Sequence, residues 1–389
     1  MAKTVLSGGT VLYPNGTLGA GDVVIEGAFI SAVAPQGAAG LNGHTRRVDV
    51  RGHLVLPGIV DIHGDAFELQ LMPRPGVAVS HDIALLDTDR QLVANGITTA
   101  FHGVTLSWEP GLRSHEACRT MIRALDALDG RLSCDTRLHL RFETYWLDAL
   151  NEVEDWIGAG AVDLFAFNDH TPEIHRKRDD GRMALKYVER TALDADAFRA
   201  LVERVYARKE EVPAAIERIA AAARSAELPM LSHDDDSPET RTYYARLGAS
   251  IAEFPKTHAT AATARSLANP VVMGAPNVMR GGSHIKAVSA TALVAEGLCT
   301  VLASDYYYPS LLQAVFRLVR DGVLDLPEAW NLIARNPAAA VGLDDRGVLM
   351  PERRADIVVV DTAADRIPRV AATFVAGELA FAGSPAFTA

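Results

Sequence analysis

The feature that most constrains the fold is a regular alternation, through the middle of the chain, of short runs rich in β-branched residues with long stretches of helical periodicity. Strands that alternate with helices in this way pair in parallel, because each helix returns the chain to the same end of the sheet. Successive predicted strand ends are roughly 34 residues apart, close to the length of one βαβ unit. These ends lie near Asp65, His102, Glu143, His170, His233, Glu253, Asn277 and Asp305, and the clearest helices span residues 87–95, 116–128, 197–227 and 309–322. Eight such units predict a closed (β/α)8 TIM barrel.

Both ends of the chain have a different pattern, in which short apolar strands are separated by turns. Near the N-terminus the turn sequences are Pro14-Asn15-Gly16 and Gly27-Ala28, and near the C-terminus Gly377-Glu378 has the same role. We therefore expect the two ends to combine in one small β-sandwich domain, residues 1–53 and 347–389. Residues 54–346 would then form the barrel.

Composition narrows the class of protein. The chain has 38 Lys plus Arg and 49 Asp plus Glu, and the resulting net charge of −11 argues against a nucleic-acid partner. Cys118, Cys134 and Cys299 follow no disulfide or zinc-ribbon spacing. Every long apolar stretch is broken by Gly or a charge well before the ~18 residues that a membrane span needs. We expect a cytoplasmic protein that does not bind membranes.

The most informative local sequence is the apolar run 54–65, which ends in His63-Gly64-Asp65. Residues two apart on a strand point to the same side, so His63 and Asp65 would project together at the mouth of the barrel, with Glu68 in the following loop. An imidazole beside a carboxylate is a ligand pair for a divalent metal ion. The alternative interpretation, with no metal ion, is a histidine at the end of a strand that is hydrogen-bonded to an aspartate.

The recurrence of such residues favours the metal. Other predicted strand ends also carry His, Asp or Glu: His102, Glu143, Asp169-His170, residues 233–236, Glu253 and Asp305. A ring of carboxylates would repel itself unless cations were present. Mixed nitrogen and oxygen ligands suit one or two divalent metal ions, with zinc as the first expectation and manganese or iron as alternatives.

Several longer motifs resemble one known family. His63, His233 on a mid-barrel strand, Asp305 after the last strand and a β domain split between both chain ends are similar to the amidohydrolase superfamily. Within it, the chain resembles the α-D-ribose 1-methylphosphonate 5-triphosphate diphosphatases of the carbon-phosphorus lyase pathway. The similar segments are His63–Glu68, Met72–Val77, Asn95–Ala100, Asp169–Pro172, Gly274–Asn277, Arg280–His284 and Ala303–Pro309, and they span nearly the whole chain.

The resemblance implies a metal-dependent hydrolase that converts a ribose 5-triphosphate ester and water into the 5-phosphate and pyrophosphate. A divalent ion would lower the pKa of water toward ~7 and neutralise charge on the phosphoryl oxygens. The implied metal ligands are His63, Asp65, Glu143, His170, His233 and Asp305. Asp305 would also accept the proton of the attacking water. Since members of the superfamily often form dimers, we expect a homodimer that acts on a small phosphorylated substrate.

An enzyme with a net charge of −11 must concentrate positive charge where a polyphosphate binds. Arg74, Arg280 and the run Arg176-Lys177-Arg178 follow predicted strands, although each could be a solvated surface charge. Ser283 and His284, in a glycine-containing segment ahead of a helix-like run, could present backbone N–H groups to a phosphate. The remaining predicted substrate-binding residues are Glu68, His102 and Asn277, of which His102 could equally be a core histidine.

Two segments depart from the family pattern, Ile285-Lys286-Ala287 after His284 and residues 173–177 after Pro172. A paralogue acting on another phosphorylated sugar or on a nucleotide therefore stays open. A second hypothesis is hydrolysis of the C–N bond of a cyclic amide, as in deaminases, but the first strand gives His63 and Asp65 rather than two histidines. A third is a non-enzymatic scaffold, which would typically have lost the predicted metal ligands.

Overall fold

The computed structural model describes residues 3–37, 45–74, 76–180, 191–281, 288–363 and 367–387. Its strands are β1 (Lys3–Leu12), β2 (Leu18–Glu26), β3 (Phe29–Pro35), β4 (Thr45–Asp49), β5 (His53–Pro57), β6 (Ile59–Gly64), β7 (Ile97–Leu106), β8 (Asp135–Glu143), β9 (Leu164–Asn168), β10 (Met230–His233), β11 (Ile251–Glu253), β12 (Val271–Gly274), β13 (Val301–Ala303), β14 (Ile357–Asp361), β15 (Arg369–Val375) and β16 (Glu378–Ala382). Its helices are α1 (Phe67–Leu71), α2 (His81–Ala94), α3 (His115–Ala127), α4 (Leu150–Gly158), α5 (Thr171–Arg176), α6 (Ala195–Tyr206), α7 (Val212–Ser225), α8 (Pro238–Arg246), α9 (His258–Ser266), α10 (Ala275–Arg280), α11 (Ala290–Ala295), α12 (Ser310–Arg320), α13 (Leu326–Asn331) and α14 (Arg335–Ala340). Within these ranges no helix has both the length and the apolar composition that crossing a membrane requires.

Eight strands, β6 to β13, form one parallel sheet in the order in which they follow each other along the chain. Helices follow the strands as in a (β/α)8 barrel, which confirms the predicted fold. An apolar cluster that includes Val60, Phe101, Leu231, Ile251 and Val301 fills the interior toward the amino ends of the strands. The polar residues of the predicted site lie at the opposite, carboxyl ends.

The barrel closes where its first strand meets its last. Gly64 pairs with Asp305 in a parallel bridge. Next to this bridge, the buried Asp61 carboxylate accepts hydrogen bonds from Ser304 N (3.0 Å) and from Ser304 Oγ (2.5 Å). Burial raises the pKa of Asp61 to about 6, and these two donors stabilise a carboxylate that has lost its water.

The strands from both chain ends form a second, mixed sheet in the order β16-β15-β14-β5-β1-β2-β3, with β4 paired to β1. The predicted union of the two ends is therefore confirmed. In β14, Val358 and Val360 pack in the core that is shared with the barrel and its helices. Ile357 and Val359, on the opposite face, pack among other strands of the mixed sheet. The two-residue alternation of a strand thus gives both faces apolar contacts.

The run 54–65 is two strands, not the single strand that its apolar pattern predicts. β5 pairs with β1 and β14 in the mixed sheet, and β6 begins the barrel at Ile59. Gly58 permits the change of sheet, because a Cβ at that position would lie 2.3 Å from Thr98 Oγ1. The two sheets therefore meet at Gly58, a few residues beyond the expected boundary between residues 53 and 54.

Two further expectations differ from the structure. β7 continues to Leu106, so His102 lies buried within the strand and not at its end. The helix expected over residues 197–227 is two helices, α6 and α7, separated by a 3-10 turn at Lys209–Glu211. Pro213 lies in the first turn of α7, where its missing backbone N–H is tolerated, whereas it would interrupt the interior of one long helix.

We predict that Asp61→Ala destabilises the barrel more than Ser304→Ala. The first substitution removes both hydrogen bonds from Ser304 and a longer one from His63 N (3.4 Å), and it leaves two buried N–H groups without this acceptor, so the free energy of unfolding should fall by about 3 kcal/mol. The second removes only the hydroxyl donor and should cost about 1 kcal/mol. Urea unfolding of the metal-free proteins, followed by circular dichroism, measures both values. Equal losses would mean that the hydrogen bonds from the backbone N–H groups of Ser304 and His63 do not stabilise the closure.

Candidate metal centre

The carboxyl ends of the barrel strands bring titratable side chains together at one mouth. Three overlapping groups of residues each have ligand atoms within 4.8 Å of one another. They are the closure group (His63, Asp65 and Asp305), the mid-barrel group (His170, His233 and Asp234) and the shared group (His63, His233 and Glu253). Among the described residues, Glu143 is the one predicted ligand that belongs to none of the three.

Glu253 holds the two histidines that connect these groups. It ends β11, is fully buried, and its two carboxylate oxygens lie 2.7 Å from His63 Nδ1 and 2.7 Å from His233 Nδ1. On the other side of the His233 ring, Nε2 lies 3.1 Å from the Arg141 guanidinium, which can only donate. His233 Nε2 therefore accepts, and the ring proton is on Nδ1, directed at Glu253. A buried carboxylate that fixes an imidazole in this way is the usual partner of a metal-binding histidine.

Burial keeps both of these imidazoles neutral. It lowers the pKa of His63 to about 3 and the pKa of His233 to about 4, and the charge of Arg141 acts in the same direction. A metal ion binds the neutral form of imidazole, because the protonated ring has no free lone pair in its plane. Both rings are therefore in the state that coordination requires across the physiological pH range.

Asp305 and Asp65 are held close together where the barrel closes. Backbone hydrogen bonds of 2.9 Å run from Asp65 N to Asp305 O and from Asp305 N to His63 O. Burial and the nearby Asp65 carboxylate raise the pKa of Asp305 to about 7. Asp305 also has a φ of 57°, in the left-handed region that costs a non-glycine residue conformational energy. A cation would stabilise this pair of partly desolvated carboxylates.

His170 and Glu143 form a pair beside the centre. His170 Nδ1 lies 2.5 Å from one oxygen of Glu143, and Thr171 Oγ1 donates to the other oxygen over 3.1 Å. Although burial disfavours the charged imidazole, Glu143 and Asp234 raise the pKa of His170 to about 9. His170 Nε2 lies 3.7 Å from an oxygen of Asp234. Glu143 therefore contacts a member of the mid-barrel group, His170, without belonging to that group itself.

Three of the predicted substrate-binding residues, Glu68, Arg74 and Arg280, are not buried. Glu68 forms a bidentate ion pair with Arg113, in which both contacts are 3.0 Å long. Arg74 is exposed. Arg280 is also exposed, and its guanidinium carbon lies 5.9 Å from the centre of the Tyr306 ring, which directly follows Asp305 in the chain. Arg74 and Arg280 are thus the two exposed cations among the predicted substrate-binding residues that the structure describes.

The other predicted substrate-binding residues have different surroundings. His102 is 1% exposed, and burial lowers its pKa to about 4. The side-chain oxygen of Asn277 accepts a hydrogen bond from Ala290 N at 3.1 Å, which ties α10 to the start of α11. Ser283 and His284 lie outside the described residues.

The chemistry of the donor set fits a divalent ion. The set combines neutral imidazoles, carboxylates crowded at the same mouth, and ligand atoms within 4.8 Å of one another. A carboxylate at Glu253 orients the rings from behind. These properties are those of a candidate metal centre, in which Arg141, 3.4 Å from Asp65, offsets only part of the repulsion between Asp65 and Asp305.

Sequence patterns did not predict the contacts of Glu253, Asp234 and Arg141. Glu253 ends a predicted strand and Asp234 directly follows another, so the sequence predicted that both lie at strand ends. It did not predict which side chains they contact. The sequence contains a weaker indication for Arg141, which lies two residues from His139 and two residues from Glu143 on a buried strand. Such spacing puts the three side chains on one face of β8.

Comparison with known proteins gives one relative of high similarity. The chain is 34% identical over 325 residues to the α-D-ribose 1-methylphosphonate 5-triphosphate diphosphatase of Escherichia coli K12, with 80% of this chain and 84% of that protein covered. No protein-family model matches. Among solved structures, similar folds include N-isopropylammelide isopropylaminohydrolase from Burkholderia multivorans (TM-score 0.65, 18% identity, 97% of this chain and 98% of that one). A second is an amidohydrolase (TM-score 0.65, 15% identity, 98% of this chain and 99% of that one).

Glu253→Gln should weaken metal binding while the barrel stays folded. A carboxamide accepts through one oxygen only, so one of the two histidines would lose the acceptor that fixes its tautomer. Loss of such a partner lowers metal affinity by roughly 10- to 100-fold. Competition with a chromophoric zinc chelator measures the dissociation constant. Glu239→Gln, the same chemical change at an exposed position, is the control, and an affinity that Glu253→Gln leaves unchanged would contradict the orienting role of Glu253.

Proposed function

The chain belongs to the amidohydrolase superfamily, in the family of the α-D-ribose 1-methylphosphonate 5-triphosphate diphosphatase, and on this premise we propose that it hydrolyses that ribose 5-triphosphate ester. The protein is a hydrolase, and the products of the proposed reaction are the 5-phosphate and pyrophosphate. The observation that carries the proposal is the sequence identity to the Escherichia coli diphosphatase. The candidate metal centre supports it, because hydrolysis of a phosphoric anhydride requires an activated water and compensation of phosphoryl charge.

In the proposed reaction one P–O bond of the anhydride between the α- and β-phosphoryl groups breaks. The oxygen of one water molecule forms the new bond to phosphorus, and a proton of that water passes to a carboxylate before release to solvent. We propose Asp305 as the proton acceptor. Its position supports this role, because Asp305 belongs to the closure group that would hold the ion and its water.

The closure group would hold the ion next to Asp305, and the mid-barrel group offers a second set of ligands. When bound, a divalent ion supplies Lewis acidity that acidifies water and neutralises charge on phosphoryl oxygens. Zinc is the first proposal for its identity, with manganese or iron as alternatives, since nitrogen and oxygen ligands suit all three. Glu143 would act on the mid-barrel group through its contact with His170.

Recognition of the triphosphate requires cations that remain accessible. Arg280, beside the Tyr306 ring, and Arg74 are exposed and are the proposed contacts for the outer phosphoryl groups. In the run 176–178, Lys177 lies 2.5 Å from a carboxylate oxygen of Glu173, and Arg178 lies 2.5 Å from one of Glu203. Those ion pairs favour a surface role for Lys177 and Arg178 over contact with substrate.

The metal-loaded protein should convert the ribose 5-triphosphate ester into equal amounts of 5-phosphate and pyrophosphate, as followed by phosphorus NMR. Asp305→Asn removes the proton acceptor and should lower kcat by about 100-fold or more. Asp321→Asn, the same change at an exposed position, should leave kcat unchanged. Failure to release pyrophosphate from ribose or nucleoside triphosphates, or release of ammonia from cyclic amides in its place, would reject the proposed function.

A further inference from the structure

Arg141 is a buried cation at the point where the closure group and the mid-barrel group meet. Its side chain is 6% exposed. Its Nη1 lies 3.4 Å from Asp65 Oδ2, in the closure group, and its Nη2 lies 3.1 Å from His233 Nε2, in the mid-barrel group. The guanidinium therefore contacts one predicted metal ligand of each group.

The neighbouring strand leaves room for this side chain. A Cβ at Gly103 of β7 would lie 3.2 Å from Arg141 Cδ, closer than ordinary van der Waals contact. Gly103 does not have a positive φ, so its backbone conformation does not demand glycine. The space taken by Arg141 is the physical reason for a residue without a side chain at this position.

The contact with His233 also limits what else that ring can bind. A neutral imidazole has one lone pair in the ring plane, and it either accepts a hydrogen bond or coordinates an ion. Because Nδ1 donates to Glu253, Nε2 is the atom that would serve the mid-barrel group. Arg141 Nη2 is directed at this same atom. An ion in the mid-barrel group would have to displace the guanidinium.

We propose that Arg141 supplies the positive charge that a second divalent ion would supply. Each chain then holds one ion, in the closure group. Arg141 also binds an oxygen of the phosphoryl group under attack. The part that concerns phosphate rests on the proposed function. The count of ions does not, because it follows from the contacts of Arg141 with Asp65 and His233.

The guanidinium has donors left for such an oxygen. It carries five N–H groups, and the contacts with Asp65 and His233 occupy two of them. Among the described residues, Arg141 Nε is buried and has no hydrogen-bonding partner. Arginine keeps its charge at all physiological pH values, and its planar fork matches the oxygens of a phosphoryl group. A phosphoryl oxygen would therefore satisfy a donor that the protein leaves unpaired.

The first test counts the ions. Protein saturated with Mn²⁺ and then desalted should contain one equivalent per chain by elemental analysis. Its electron paramagnetic resonance spectrum should be that of an isolated ion. Two equivalents with an exchange-coupled spectrum in the wild-type protein would overturn the proposal, because the second ion would then occupy the position of the Arg141 guanidinium.

The second test uses pyrophosphate as the probe and does not depend on turnover. Arg141→Met keeps the length of the side chain without its charge and should weaken pyrophosphate binding to the Mn²⁺-loaded protein by about tenfold or more in calorimetry. Arg137→Met, on the same strand but outside the centre, is the matched control and should bind as the wild type does. If Arg141→Met fails to fold, Arg141→Lys is the second variant. It keeps the charge but lacks the planar guanidinium, so it should cause a smaller but measurable loss of pyrophosphate affinity. Wild-type affinity in the folded Arg141 variant would overturn the phosphate role.

The two tests separate this inference from the proposed function. If the protein releases no pyrophosphate from any triphosphate, yet holds one ion and binds pyrophosphate through Arg141, the substrate proposal fails and the inference stands. If it releases pyrophosphate but holds two coupled ions, the proposed function stands and the inference fails.

Discussion

The closure of the barrel between its first and last strands is the constraint on which the site depends. Asp61 and Ser304 are 243 positions apart in the chain, and their hydrogen bonds pin β6 against β13. The same closure brings the backbone of Asp305 against that of His63. A closed parallel barrel has no free sheet edge at which this distance could vary, so the ligands that the two strands carry keep a fixed separation.

Burial of charged groups away from water determines which hydrogen bonds and charges stabilise each side chain of the candidate metal centre. Glu253 is fully buried, and the two imidazoles that donate to it replace the hydrogen bonds that water would otherwise make. Asp305 has fewer compensating donors and lies near Asp65, so its pKa rises toward neutrality. Arg141 balances part of this negative charge from inside the barrel. Imidazoles with fixed tautomers and a buried guanidinium beside the carboxylates are features that suit phosphoryl chemistry.

Local periodicity predicted the barrel and the end at which its polar residues meet, because each strand and helix is encoded in a short stretch of sequence. Prediction from local periodicity failed where the surroundings of a strand change along its length but the periodicity of its residues does not. The run 54–65 has one largely apolar pattern, yet it enters two sheets, and the change falls at Gly58, where Thr98 leaves no space for a side chain. His102 was expected at a strand end, but the strand continues past it through residues that are equally apolar.

The sequence by itself determined the fold class, the family and the residue types at the strand ends, since these follow from periodicity and from motifs that are local in the chain. Tertiary structure alone decided which groups contact one another: Glu253 with both histidines, Glu143 with His170, and Arg141 with Asp65 and His233. Each of these contacts joins side chains from different strands. Their partners depend on strand order, register and rotamer, which are fixed only when the barrel closes and the polar groups must find partners away from water.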